Sequence, residues 1–152
     1  MAGSDSKGNC SEVSLGAKRA QSAEEREAAE LIYHCFQPVS LLQDFGENLP
    51  RCGLHPTTVK HAILHIVNDL DPKLSRVLKL LPAKHPARAE IVNAESAAHA
   101  CVDTVFNAIE TDEWGRGPDS LGEALQALAM RATISLERGE LAVELNRFAV
   151  VV

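Results

Sequence analysis

Histidine and aspartate side chains at helical spacing are the first residues of this chain that could bind a metal ion. His61, His65 and Asp69 follow one another at intervals of four residues, which would place them one turn apart on a single helix face. Two imidazoles at this spacing can chelate one ion. The segment His-Ala-Ile-Leu-His, however, lacks the glutamate of the His-Glu-x-x-His zinc motif. A solvated helix face is therefore the preferred interpretation.

Glu95 and His99 form a second pair with chemical potential. Glu95 falls within the apolar stripe of a predicted helix, and His99 follows one turn later. Because a buried carboxylate is costly unless it is paired, either Glu95 has a partner, with His99 the nearest candidate, or the stripe is not wholly buried. A carboxylate that orients an imidazole can form part of a general base. Such a base would need a nucleophile to activate, and no Ser or Cys can be assigned to that role. We interpret the pair as structural.

Two functional alternatives remain open on these residues. The first is an enzyme or sensor that holds a divalent metal ion in a helical bundle, using His61, His65, Glu95 and His99. The second is a helix-turn-helix DNA-binding regulator, because residues 57–70, Asp71-Pro72 and residues 73–81 have the general spacing of that motif. The turn lacks the usual glycine, and the formal net charge of −6 makes nucleic-acid binding unlikely.

Helices must position these residues, since apolar residues recur at spacings of three and four. Ser22 with Glu25, and Ser120 with Glu123, are capping boxes. Prolines are expected to end or begin helices, and Gly139 is expected to stop the last one. The predicted helices are a first one from Ser22 that stops before Pro38, then 56–70, 72–81, 86–110 and 120–138, with a short apolar segment at 39–45 that ends at Gly46.

The length and composition indicate one globular domain: the chain has 152 residues, 45% of them hydrophobic. The predicted fold is an all-α, single-domain bundle of five or six helices, with a flexible tail at 1–21 and the helical domain at 22–152. Residues 86–110 and 120–138 are rich in alanine, so we expect them to pack closely as a long antiparallel hairpin. For residues 140–152 we favour a helix with a frayed or β-like end.

Cysteine usage and the absence of targeting signals point to the cytoplasm. Cys10, Cys35, Cys52 and Cys101 include no Cys-x-x-Cys pair, and the first residues lack the apolar region of a secretion signal. Reduced thiols are therefore expected. The sequence contains no run of about 20 apolar residues, so it predicts no membrane span.

The predicted helix at 120–138 carries a second apolar stripe on its back, formed by Ala127, Met130 and Ile134 and extended by Leu141. A helix that is apolar on two sides is either central in its own bundle or covered by another chain. Trp114, in the glycine-rich break before this helix, either folds back over the bundle or is a further contact residue. The preferred interpretation is an acidic, non-enzymatic protein–protein interaction module, which could be an adaptor, an inhibitor or immunity-type protein, or a regulatory subunit. We expect it to form a homodimer through the helix at 120–138.

Overall fold

Four long α-helices make up the protein in the computed structural model, which describes residues 21–49, 53–111 and 118–145. They are α1 (Ala23–Asn48), α2 (Pro56–Leu80), α3 (Ala87–Glu110) and α4 (Pro118–Leu145). The described residues contain no strand. The all-α class is therefore confirmed, whereas the predicted number of five or six helices was wrong.

The prediction that prolines end or begin helices was wrong at two positions, because α1 continues through Pro38 and α2 through Pro72. Proline costs about 3 kcal/mol inside a helix, since it cannot donate to the carbonyl four residues earlier and its ring crowds that carbonyl. The apolar face is unbroken across both positions. Buried Val67 and Leu70 precede Pro72, and buried Leu74 and Val77 follow it with the same period. Burial of one continuous face outweighs the local penalty of the proline.

Gly46 and Gly139 also lie inside helices, where the sequence predicted ends. A Cβ atom at Gly46 would lie 2.8 Å from the carbonyl oxygen of Gly122 and 3.0 Å from the amide nitrogen of Gln126. A Cβ atom at Gly139 would lie 3.1 Å from Cδ1 of Ile91. These glycines are therefore points of close approach between helices: α1 against α4 at Gly46, and α4 against α3 at Gly139.

One of the two predicted capping boxes is present. The backbone N–H of Glu25 donates to Ser22 Oγ at 3.1 Å, and the backbone N–H of Ser22 donates to Glu25 Oε1 at 3.5 Å. The predicted box at Ser120 was wrong, because α4 already begins at Pro118 and Ser120 lies within its first turn. A proline is favoured in a first turn, where its missing N–H is not needed.

Neighbouring helices run antiparallel. Arg76 near the end of α2 contacts Glu27 near the start of α1, and Lys60 near the start of α2 lies over the ring of Phe106 near the end of α3. The two glycine contacts show the same for α3 with α4 and for α1 with α4. The result is an up-down-up-down four-helix bundle, in which the most extensive contacts are those of α3 and α1 with α4.

Helix α4 thus packs between α1 and α3, and the core between the four helices is apolar. The largest fully buried side chains come from every helix: Ile32, Val39, Leu42, Val59, Ile63, Val67, Leu70, Leu74, Val77, Ile91, Leu125 and Leu136. Residues 87–110 and 118–145 form the antiparallel pair expected of a hairpin. Its connection at 112–117 lies outside the described residues, as do residues 1–20 of the predicted tail.

Helix α4 extends to Leu145, through Arg138-Gly139 and into the segment whose structure was ambiguous from sequence. Residues 146–152 lie outside the described part. Among the described helices, none is both long enough and apolar enough to cross a membrane.

Candidate functional site

The outer face of α4 carries a row of exposed apolar side chains. The buried residues Leu125, Ala129, Ala132, Leu136 and Val143 define the face of α4 that packs into the bundle. At about 100° per residue, the opposite face is formed by another set of residues. We call this set the α4 stripe: Ala127, Met130, Ile134, Leu141 and Leu145.

The α4 stripe is open to solvent along its length. The exposed fraction is 46% for Met130, 38% for Ile134, 56% for Leu141 and 55% for Leu145, and Ala127 is exposed as well. The four predicted contact residues of this helix therefore lie on one surface. The alternative was that the C-terminal segment packs across this helix. Residues 139–145 of that segment instead continue the same helix, and residues 146–152 lie outside the described part.

Leu145 was not among the predicted contact residues, although it follows Leu141 by four residues. The signal was present but lay in the segment where helix and strand could not be distinguished. Trp114, the remaining predicted contact residue, lies outside the described residues.

Charged residues flank the α4 stripe on both sides, and the two sides differ in sign. Arg131 and Arg138 lie on the side of α3, the side on which Gly139 meets Ile91. Glu137 and Glu144 lie on the side of α1. We call these two flanks the arginine edge and the glutamate edge.

A groove runs along the glutamate edge, between α4 and the start of α1. It encloses about 440 Å³ and is lined by both apolar and acidic residues: Gln21, Ala29, Glu137, Glu140, Leu141, Val143 and Glu144. The groove extends the exposed apolar surface of Leu141 toward α1 and gives this part of the surface an acidic rim.

The histidines of the predicted metal site are placed on the outer surface of α2. His61, His65 and Asp69 are all exposed. Lys73 Nζ donates to Asp69 Oδ2 at 3.0 Å, so this carboxylate is already paired. His65 and Asp69 line a groove of about 390 Å³ between α1 and α2, together with His34 of α1.

Glu95 and His99 are not paired with each other. The Nε2 atom of His99 lies 2.8 Å from Oδ1 of Asp71 on α2, and Glu95 is only partly buried. The second of the two expectations for Glu95 therefore holds: the stripe around it is not wholly buried. Nothing in the sequence spacing indicated Asp71, which is 28 residues away.

The predicted metal ligands do not assemble into one site. In the described ranges, no group of three or more His, Cys, Asp or Glu side chains is arranged to hold a metal ion. Metal binding by His61, His65, Glu95 and His99 stays a prediction, which elemental analysis of the parent and of a His65→Ala variant would test.

The turn on which the DNA-binding alternative depended is absent, because residues 56–80 form one helix. Two of the basic residues near it make contacts within the chain. Arg76 pairs with Glu27 across to α1, and the Arg88 side chain donates to the carbonyl oxygens of Leu78 and Leu81. Arg76 therefore links α2 to α1, and Arg88 links α3 to the end of α2.

The two described cysteines, Cys35 and Cys101, are buried and unreactive. Burial raises the pKa of the Cys35 thiol to about 12, an effect that nearby Lys73 opposes and Asp69 reinforces. Burial likewise raises the pKa of the Cys101 thiol to about 11. Both thiols are protonated at neutral pH and therefore poor nucleophiles.

Comparison of the chain with protein families, with curated proteins and with solved structures gives no match.

Proposed function

We propose that this protein is a non-enzymatic protein–protein interaction module that associates with a second copy of itself through the α4 stripe. The observation that carries the proposal is the exposure of Met130, Ile134, Leu141 and Leu145 in one row opposite the core. A single exposed apolar residue is ordinary. Several on one helix face are less so: from Ala127 to Leu145 the stripe spans 18 residue steps, or about 27 Å of helix at 1.5 Å per residue.

Self-association would bury the stripe of both molecules at once, because an isologous interface buries the same surface on both copies. Burying a Leu, Ile or Met side chain completely contributes about 1.5–3 kcal/mol, and these side chains are roughly half exposed. Eight of them, four from each copy, therefore contribute on the order of 8 kcal/mol. This gain is comparable with the cost of about 4–15 kcal/mol for immobilising two molecules. The expected dimer is weak and dissociates on dilution.

Light scattering of matched variants tests the proposal. Met130→Glu and Ile134→Glu each place a charge within the stripe and should shift the protein to the monomer at concentrations where the parent is dimeric. The matched control is Val92→Glu, because Val92 is 46% exposed, the same fraction as Met130.

Val92 lies away from the stripe. It is four residues from Arg88 and seven from His99, and both of these contact α2, so the ridge that carries Val92 is on the α2 side of α3. The control variant should associate like the parent. A parent that is monomeric at every concentration, or stripe variants that associate as well as Val92→Glu, would overturn the proposal.

Two further features complete the proposal. For a partner of a different sequence, in the role of adaptor, inhibitor or regulatory subunit, the formal net charge of −6 favours a basic surface through electrostatic steering. We place this activity in the cytoplasm, where thiols such as the unpaired Cys35 and Cys101 stay reduced.

A further inference from the structure

We infer that the two copies pack with their α4 helices parallel, so that the arginine edge of each copy lies against the glutamate edge of the other. This inference rests on the proposed self-association through the α4 stripe and specifies its geometry. The two-fold axis would then run along the paired α4 helices.

The charges beside the stripe are segregated by sign. Taking Ile134 as the centre of the exposed face, Arg131 and Arg138 lie about 40–60° to one side of it, at about 100° per residue. Glu137 and Glu144 lie about 60–80° to the other side. The two residues of each edge are seven residues apart, so each edge carries two like charges about 10.5 Å apart along the helix.

The apolar spacing does not decide the direction of packing. Met130, Ile134, Leu141 and Leu145 are separated by four, seven and four residues, which is the same in both directions. A parallel pair sets each residue beside its own copy. An antiparallel pair sets Met130 beside Leu145 and Ile134 beside Leu141 of the other copy.

The charged residues Arg138 and Glu137 distinguish the two directions. In an antiparallel two-fold pair, each edge faces its own copy. Arg138 would then meet Arg138 of the second copy with an offset of one residue, about 1.5 Å along the axis, and Glu137 would meet Glu137 in the same way. In a parallel pair the opposite edges face each other, so Arg138 is level with Glu137 of the second copy. Like charges disfavour the antiparallel pair, and opposite charges favour the parallel pair.

The groove between α1 and α4 also fits the parallel pair. It lies on the glutamate edge and brings Glu140 into the same acidic rim as Glu137 and Glu144. Arg131 and Arg138 are exposed on the opposite edge. In the parallel pair this groove receives the Arg138 side chain of the second copy, beside the apolar surface of Leu141.

Disulfide trapping distinguishes the two directions. The experiment uses the full chain with Cys10→Ser and Cys52→Ser, in which the buried thiols of Cys35 and Cys101 remain. An Ile134→Cys variant and a Leu141→Cys variant are oxidised separately and as a mixture, and the products are identified by intact mass. Parallel packing predicts that each variant crosslinks to itself, because a disulfide needs Cα atoms about 4.4–6.8 Å apart. Antiparallel packing predicts crosslinks only between the two variants in the mixture.

A charge exchange gives a separate test by light scattering at about 0.1 M salt. Arg138→Glu should weaken the dimer by about 3- to 10-fold, since it turns two attractive contacts into repulsive ones. Adding Glu137→Arg should restore the dissociation constant to within about 2-fold of the parent. In an antiparallel pair, both variants merely replace one pair of like charges with another.

The outcomes separate this inference from the proposed function. A dimer that crosslinks only in the mixture, that crosslinks in neither experiment, or whose Kd does not change in Arg138→Glu refutes the parallel packing. A parent protein that does not dimerise refutes the proposed self-association itself.

Discussion

The close approach of α1 and α4 at Gly46 makes a specific prediction about stability. A Cβ atom at this position would lie 2.8 Å from Gly122 O, 3.0 Å from Gln126 N and 3.0 Å from Leu125 Cβ. Two of these three atoms belong to the backbone of α4 and cannot rotate away. A Gly46→Ala variant therefore forces the two helices apart.

The magnitude follows from two opposing effects. Replacing glycine by alanine inside a helix contributes about 0.5–1 kcal/mol of stability. Overpacking a buried contact costs about 1–3 kcal/mol, and the upper part of that range applies where backbone atoms must move. The expected net loss in the free energy of unfolding is about 1–2 kcal/mol, which lowers Tm by about 2–8 °C for a chain of this length.

Gly139→Ala is the matched control, because it makes the same substitution at another buried glycine inside a helix. Its Cβ atom would meet the end of a side chain, Ile91 Cδ1 at 3.1 Å. The gain in helix propensity then offsets a shift of a few tenths of an ångström, and the expected change is within about 0.5 kcal/mol of zero. Thermal and urea unfolding of both variants and the parent measure the difference. A Gly46→Ala variant as stable as Gly139→Ala would refute the reasoning.

Three further predictions concern the cap, the thiols and a surface pair. Ser22→Ala removes the capping box of α1 and should lower the free energy of unfolding by about 1 kcal/mol in urea titrations; no loss would show that the box does not stabilise the fold. Cys35 and Cys101 should resist alkylation at pH 8 in the folded protein and react after unfolding, as read by peptide mass mapping. Their thiol pKa values rise from 9.0 to about 12 for Cys35 and about 11 for Cys101 on folding. The stability that the two thiols contribute is therefore complete below pH 9 and declines as the pH rises toward 11. Thiols that react readily in the folded state would contradict their burial. Asp71 and His99 form an exposed pair, and a double-mutant cycle should give a coupling of about 0–1 kcal/mol, whereas a coupling well above that range would mean that the pair is shielded from solvent.

The sequence was sufficient for the fold class and for most helix starts. The spacing of the apolar residues indicated helices throughout, and the Ser22 capping box and Pro56 marked the starts of α1 and α2. The predicted start of α3 at Pro86 is correct within one residue. These features are local, because each depends on residues within one or two turns of one another.

The sequence was insufficient where tertiary packing outweighs local preference. Pro38, Pro72, Gly46 and Gly139 are helix breakers by propensity, and all four lie inside helices. The propensity of one residue cannot show that the apolar face continues on both sides of it and is covered by another helix. This is why four long helices were predicted as five or six shorter ones.

The candidate site was predictable in part for the same reason. Met130, Ile134 and Leu141 lie on one helix, so their common face follows from helical spacing alone. The pairing of His99 with Asp71 does not follow from helical spacing, because Asp71 lies on another helix. The groove beside Glu137 likewise depends on how α1 packs against α4, which no spacing within α4 reveals.

Sedimentation equilibrium of the unmodified chain tests the central claim, association of two copies through the α4 stripe, most directly. The weight-average mass should rise from 16.4 kDa toward twice that value as the concentration increases through the micromolar range, about 1 to 500 μM, in which a weak dimer forms. A mass that remains at 16.4 kDa over this whole range would contradict the account.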